Sequence, residues 1–123
     1  MRAVSIAAVA LSLPSASWGT AITARPSIHV TPASVPAGGT VRVYGRAGGC
    51  PRGDAVTLIS KAFRHVHDFA GLPAVYARVT ARDRYSVRTH IPRSRRAGRY
   101  SISARCGGGT FGVHATLRVE RGR

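Results

Sequence analysis

Between residues 27 and 120 apolar side chains recur at every second position, the spacing of strands that bury one face and wet the other. Ile28 and Val30 flank His29; Val41 and Val43 alternate with Arg42 and Tyr44; Val56 and Leu58 flank Thr57; Val75, Ala77 and Val79 alternate with Tyr76 and Arg78. The second half is more regular. Tyr85, Val87, Thr89 and Ile91 fall on one side of a strand, with Ser86, Arg88 and His90 on the other. Tyr100, Ile102, Ala104 and Cys106 alternate with Ser101, Ser103 and Arg105, and Phe111, Val113, Ala115, Leu117 and Val119 are interleaved with His114, Thr116 and Arg118. Seven strands result, separated by Gly-, Pro- and Asp-containing turns at 36–39, 45–53, 71–73, 82–84, 92–98 and 107–109. No helical periodicity competes. Short strands at this spacing predict an all-β chain, an antiparallel sandwich occupying residues 25–121.

Ahead of this pattern stand Arg2, an apolar run over residues 3–13, then Pro14 and a series of small residues, the layout of a secretory signal peptide. Cleavage is expected after Ala21, giving a leader of residues 1–21 with an end in the window 17–24, and Trp18, the single tryptophan, leaves with it. The run is shorter than the roughly 20 apolar residues of a membrane-spanning helix, and no other run approaches that length. No cysteine follows it to carry a lipid anchor. The expectation is a secreted monomer, extracellular or cell-wall associated, without a transmembrane segment.

Export changes how the two cysteines read. An even pair in an oxidising compartment, with no second pair to complete a zinc site and no C-x-x-C spacing, predicts a Cys50–Cys106 disulfide. Closing a loop of about 55 residues restricts the unfolded chain by about 4 kcal/mol in the chain-entropy model.

Several short stretches carry a resemblance. Ile28-His29-Val30-Thr31-Pro32, Ala37-Gly38 and Val41-Arg42-Val43-Tyr44-Gly45, followed by Cys50-Pro51, Ala97-Gly98-Arg99-Tyr100 and Arg105-Cys106-Gly107, resemble motifs of secreted bacterial immunoglobulin-like domains and of small exported proteins of high-GC Gram-positive bacteria. The resemblance implies a seven-stranded immunoglobulin-like sandwich. The second, fourth and fifth predicted strands would be neighbours in one sheet, the third, sixth and seventh would form the other, and the disulfide would join the sheets near one end. Ala97-Gly98-Arg99-Tyr100 has the form of a tyrosine corner. Such domains recur in adhesins, enzyme accessory modules and the chromophore-binding apoproteins similar to neocarzinostatin. The last group carries two disulfides and an acidic character, a pattern from which this chain departs. A fold of this kind implies no single function.

Charge narrows the function classes. The chain has 19 Lys plus Arg against 4 Asp plus Glu, a formal +15, of which only Arg2 belongs to the leader. Lys61 is the single lysine. A GC-rich genome accounts for arginine over lysine but not for the scarcity of acids, since exposed faces ordinarily mix both signs. So few carboxylates, all in or beside turns or at the end of the last strand, and serines outside any nucleophile elbow predict a non-enzymatic protein without a cofactor. Gly107-Gly108-Gly109 lacks the Lys-Ser/Thr of a phosphate loop and reads as a hairpin turn. Arg42, Arg78 and Arg88 are expected on the outer face of one sheet together with Tyr44 and Tyr76. Guanidinium forks there would pair with phosphate or carboxylate, and the rings would stack on sugars or bases. Arg93, Arg95, Arg96 and Arg99 gather in an exposed loop that projects flexible charge. Together they predict a binding module for anionic polymers of the cell envelope or extracellular matrix.

Two alternatives come from one segment. His65 and His67 stand two apart beside Asp68 and would bind copper or zinc if His29, His90 or His114 supplied a third ligand. Residues 63–73, with Phe63, Phe69 and Leu72, either cover the open end of the sandwich or present exposed aromatics to a protein partner or an extracellular enzyme.

Overall fold

The alternation resolves into two facing sheets. The computed structural model describes residues 25–107 and 109–122; the predicted leader lies outside the described residues. Nine strands are formed among them: β1 His29–Thr31, β2 Ser34–Pro36, β3 Thr40–Arg46, β4 Ala55–Ile59, β5 His67–Phe69, β6 Leu72–Arg78, β7 Arg84–His90, β8 Gly98–Cys106 and β9 Gly109–Glu120. One sheet has the order β1-β3-β7 and the other β2-β9-β8-β4-β6-β5. Val41, Val43, Tyr85 and Ile91 from the small sheet meet Val56, Leu58, Ile102, Ala104, Leu117 and Val119 from the large one in the core. Among the described residues no helix is long and apolar enough to cross a membrane.

The count is nine rather than the expected seven because β2 and β5 have three residues each, too few for a period of two to register. Val35 is the only buried residue of β2, which pairs in parallel with β9 and ends in Pro36, a residue suited to an edge strand. All other pairings are antiparallel. A tight turn through Ala70 and Gly71 joins β5 to β6, with φ of 51° and 85°, and Asp68 Oδ2 accepts the Gly71 N–H at 3.1 Å.

A second difference matters more for function. β6, the fourth strand expected from sequence, belongs to the large sheet and pairs with β4 from Ala55↔Arg78 to Ile59↔Ala74. β4 is central, with β8 on its other edge, and Val56, Thr57, Leu58 and Ile59 are all buried. A strand covered on both faces needs partners at both edges, since its backbone groups have no water to bond.

Cys50, in the loop after β3, is bonded to Cys106 at the end of β8, with a Cα–Cα distance of 5.8 Å. Across the small sheet, Tyr85 lies opposite Gly45 and its hydroxyl donates to the Ser27 carbonyl at 2.7 Å. A side chain at Gly45 would collide with both groups, so glycine is required there by close approach.

Candidate polyanion interface

The register of β3 and β7 decides which charges meet. Arg46 lies directly opposite Arg84, Tyr44 opposite Ser86, Arg42 opposite Arg88 and Thr40 opposite His90. β1 adds His29 opposite Tyr44 and Thr31 opposite Arg42. Strand alternation sends all of these outward while Val41, Val43 and Tyr85 go to the core. Directly opposed side chains start about 4.5–5.5 Å apart at Cβ, where like charges repel. Two arginine pairs thus form a ladder on a face that, among the described residues, carries no carboxylate. The Arg42 guanidinium lies over the Tyr44 ring, 4.2 Å from its centre. Beside it a shallow cleft of about 350 Å³ is lined by Thr31, Pro32, Thr40, Val41, Arg42 and Arg88.

Where β3 begins and β7 ends, this face runs into a larger cleft of about 820 Å³. Its lining is Pro36, Ala37, Gly38, Gly39, Ala97 and Gly122, with Arg93, Arg95, Arg96 and Arg121. The aliphatic stem of Arg93 crosses Gly38, where an added Cβ would come within 2.8 Å of Arg93 Cγ and where φ is +93°. Arg95 is half-buried: its Nε donates to the Ala62 carbonyl at 3.3 Å and its Nη2 to the Phe63 carbonyl at 3.0 Å. The Arg95 N–H donates to the Pro92 carbonyl, and the Tyr100 hydroxyl donates to the Arg96 carbonyl at 2.7 Å. The loop read as flexible charge is therefore fastened at several points. Arg99 is on β8, opposite Arg118 of β9, a third like-charged pair on the outer face of the large sheet.

Arg78 does not join Arg42 and Arg88. It sits on the outer face of the large sheet opposite Ala55, because β6 pairs with β4. Tyr76 is on that face too, 46% exposed, with its ring centre 4.6 Å from that of His67. The sheet edges nevertheless approach, and Tyr76, His67 and Arg64 share a small cleft with Arg88 and His90. Sequence reading missed Arg46, Arg84 and Arg121. The first two were assigned to turns, yet each continues its strand's polar positions one step further, which was the available signal.

The carboxylates are used locally. Asp83 Oδ1 and Oδ2 accept the Gly49 N–H at 3.1 and 3.3 Å, Asp68 Oδ1 lies 2.9 Å from His65 Nε2, and Glu120 Oε1 accepts from Ser34 Oγ at 2.8 Å. Among the described residues the His65–Asp68 contact is the one ion pair seen, so no carboxylate among them lies within 4 Å of an arginine or the lysine. His65 and His67 have separate neighbours, Asp68 and Tyr76, and no group of three His, Cys, Asp or Glu converges among the described residues. Phe63 is fully buried, and Phe69 is half-buried beneath the Arg105 guanidinium, 4.8 Å from the ring centre. The segment 63–73 buries Phe63, leaves Phe69 half-covered by Arg105, and shows Val66, 60% exposed, as its large apolar residue on display.

No protein-family profile matches the chain, and no curated protein matches it in sequence. Similar solved structures include the alkylpurine DNA glycosylase AlkC of Pseudomonas fluorescens, bound to DNA containing an abasic site analog. The TM-score is 0.52 at 17% identity, covering 78% of this chain and 30% of the glycosylase. The chain spans less than a third of that protein's length, and the likeness is one of fold. Macromomycin is similar at a TM-score of 0.49 and 17% identity, over 78% of this chain and 98% of its own.

Proposed function

We propose that the chain is an exported, immunoglobulin-like, non-catalytic binding module that associates with anionic polymers of the cell envelope or extracellular matrix through the arginine ladder of its small sheet. The observation that carries this reading is the two pairs of directly opposed arginines, Arg42–Arg88 and Arg46–Arg84, on a face without a carboxylate among the described residues. Unliganded, the arrangement costs stability, since opposite charges at those positions would attract. An anion lying between the strands removes the repulsion and engages both forks, and Tyr44 adds a ring beside them. Two features support the immunoglobulin-like reading: β2 joins the large sheet while β1 stays with the small one, and the Tyr100 hydroxyl bonds the carbonyl four residues upstream, as in a tyrosine corner. The disulfide and the predicted leader support export.

The test is retention of the oxidised protein on immobilised long-chain polyphosphate, polyglutamate and duplex DNA across a salt series. DNA is included because the similar glycosylase structure holds it. Retention is expected to fall steeply with salt, and Arg42→Gln with Arg88→Gln to reduce the logarithmic slope on phosphate polymers by about 2, roughly 1 for each lost phosphate contact. An unaltered slope would remove the ladder from the binding surface.

A further inference from the structure

We infer, resting on the anion-binding reading above, that the cleft at the end of the sandwich is a stoichiometric site for a compact chain of phosphoryl groups, separate from the ladder that holds long polymers. Arg93, Arg95, Arg96 and Arg121 surround about 820 Å³, within the roughly 300–1,000 Å³ of small-ligand pockets. Arg95 is held by the Ala62 and Phe63 carbonyls, Arg93 lies across Gly38, and the Arg96 backbone is tied by Tyr100. Carbonyl acceptors orient the Arg95 guanidinium without neutralising it, so that one charge is already in place when an anion enters, and the ordering of the exposed Arg96 and Arg121 side chains is left to the ligand.

The rest of the lining specifies the ligand by what it supplies. Pro36, Ala37, Ala97 and the glycines bring no aromatic ring to stack on a base and no side-chain oxygen to read a sugar hydroxyl. Among the described residues no carboxylate lines the cleft to offset four guanidinium groups. A single carboxylate ligand would leave most of that mutual repulsion in place. Several phosphoryl groups in a short chain supply comparable negative charge in a small volume and accept guanidinium N–H donors from Arg93, Arg96 and Arg121, while Arg95, with Nε and Nη2 on carbonyls, adds its charge. Such a chain could be a free oligophosphate or the end of a longer phosphate polymer, since Thr40 and His90 lead from the ladder to the Gly38–Arg93 edge of the cleft.

Calorimetric titration of the oxidised protein with tripolyphosphate, with citrate as the carboxylate comparison, tests this at near-physiological salt. One-to-one binding is expected, tighter than for citrate. Arg93→Gln with Arg96→Gln should weaken it about tenfold or more, whereas Arg42→Gln with Arg88→Gln should leave it within about twofold. Backbone amide shifts on adding tripolyphosphate give a second readout and should concentrate at Gly38, Gly39, Ala97 and Gly122. No saturable binding, citrate binding as tightly, loss in the ladder variant, or shifts concentrated at Arg42 and Arg88 would each overturn the assignment. Long-chain polyphosphate at equal numbers of chain ends separates the two sources: equal affinity identifies a free end, and tighter binding lowered by both variant pairs identifies a chain running from ladder to cleft. Failure of the polymer reading looks different, with retention insensitive to the ladder variant while tripolyphosphate binding persists.

Discussion

Tyr85 shows how much one residue can be asked to do. It is buried to 1% exposure against Gly45, and its hydroxyl donates to the Ser27 carbonyl, tying the chain before β1 to the small sheet. Burial pushes its phenol well above the ordinary value of 10.0, because a phenolate there would lose its hydration. The folded protein therefore holds this proton more tightly than the unfolded chain does. Its contribution is fully present below about pH 10 and declines above it, as the unfolded tyrosine ionises first. Tyr85→Phe is expected to cost about 1 kcal/mol near neutrality and to make the loss of stability above pH 10 shallower. Denaturant midpoints of both proteins at neutral pH and above pH 10 check this, and parallel alkaline losses would exclude Tyr85 as a source. Arg95 makes the opposite lesson visible. Its neighbours read as a loop of mobile charge, yet its guanidinium is bonded to two carbonyls of a segment more than thirty residues away. No local pattern announces such a bond. Phe63 is similar: its sequence context offered both a cover and an exposed docking loop, and only docking of the segment decided that it is buried.

Among elements, β3 and β7 hold the candidate site, and their inward residues were legible because an alternation of Val41, Val43 and then Tyr85, Val87, Ile91 leaves one choice of face. The partner of each strand was not legible. Alternation assigns a side chain to a face but says nothing about which strand lies beside it, so Arg78 and Tyr76 were placed with β3 and β7 although β6 pairs with β4. The β4 sequence did hold a hint, since Val56 to Ser60 contains no charged residue, as suits a strand covered on both faces. The ladder itself predicts a trade between stability and binding. Arg88→Glu turns the pair with Arg42 from repulsive to attractive, and the folded protein should gain up to about 1 kcal/mol while its retention on anionic polymers weakens. Thermal midpoints alongside salt-dependent retention test both halves. A midpoint that falls would mean that Arg88 makes a stabilising contact in place of the repulsion described.

At the scale of the whole molecule, the Cys50–Cys106 bond spans 56 positions and fastens the loop after β3 to the end of β8. Cys50→Ser with Cys106→Ser should cost about 4 kcal/mol, mainly by freeing the unfolded chain. That loss corresponds to a fall of about 15 °C or more in the midpoint for a domain of this size. A scan of the variant against the oxidised protein measures it, and an unchanged midpoint would make the bond structurally idle. The same molecule divides cleanly by cause. Sequence alone determined the all-β class, the inward side of each long strand, the cysteine pairing and the excess of arginine over acid. Those properties depend on a period of two, on residue counts and on there being a single possible pair. Tertiary structure alone decided that Arg42 meets Arg88 and Arg46 meets Arg84, that Arg78 lies elsewhere, and that Arg93, Arg95, Arg96 and Arg121 surround one cleft. Strand partnership and loop docking are settled by contacts between residues distant in the chain, and such contacts leave no periodic trace along it.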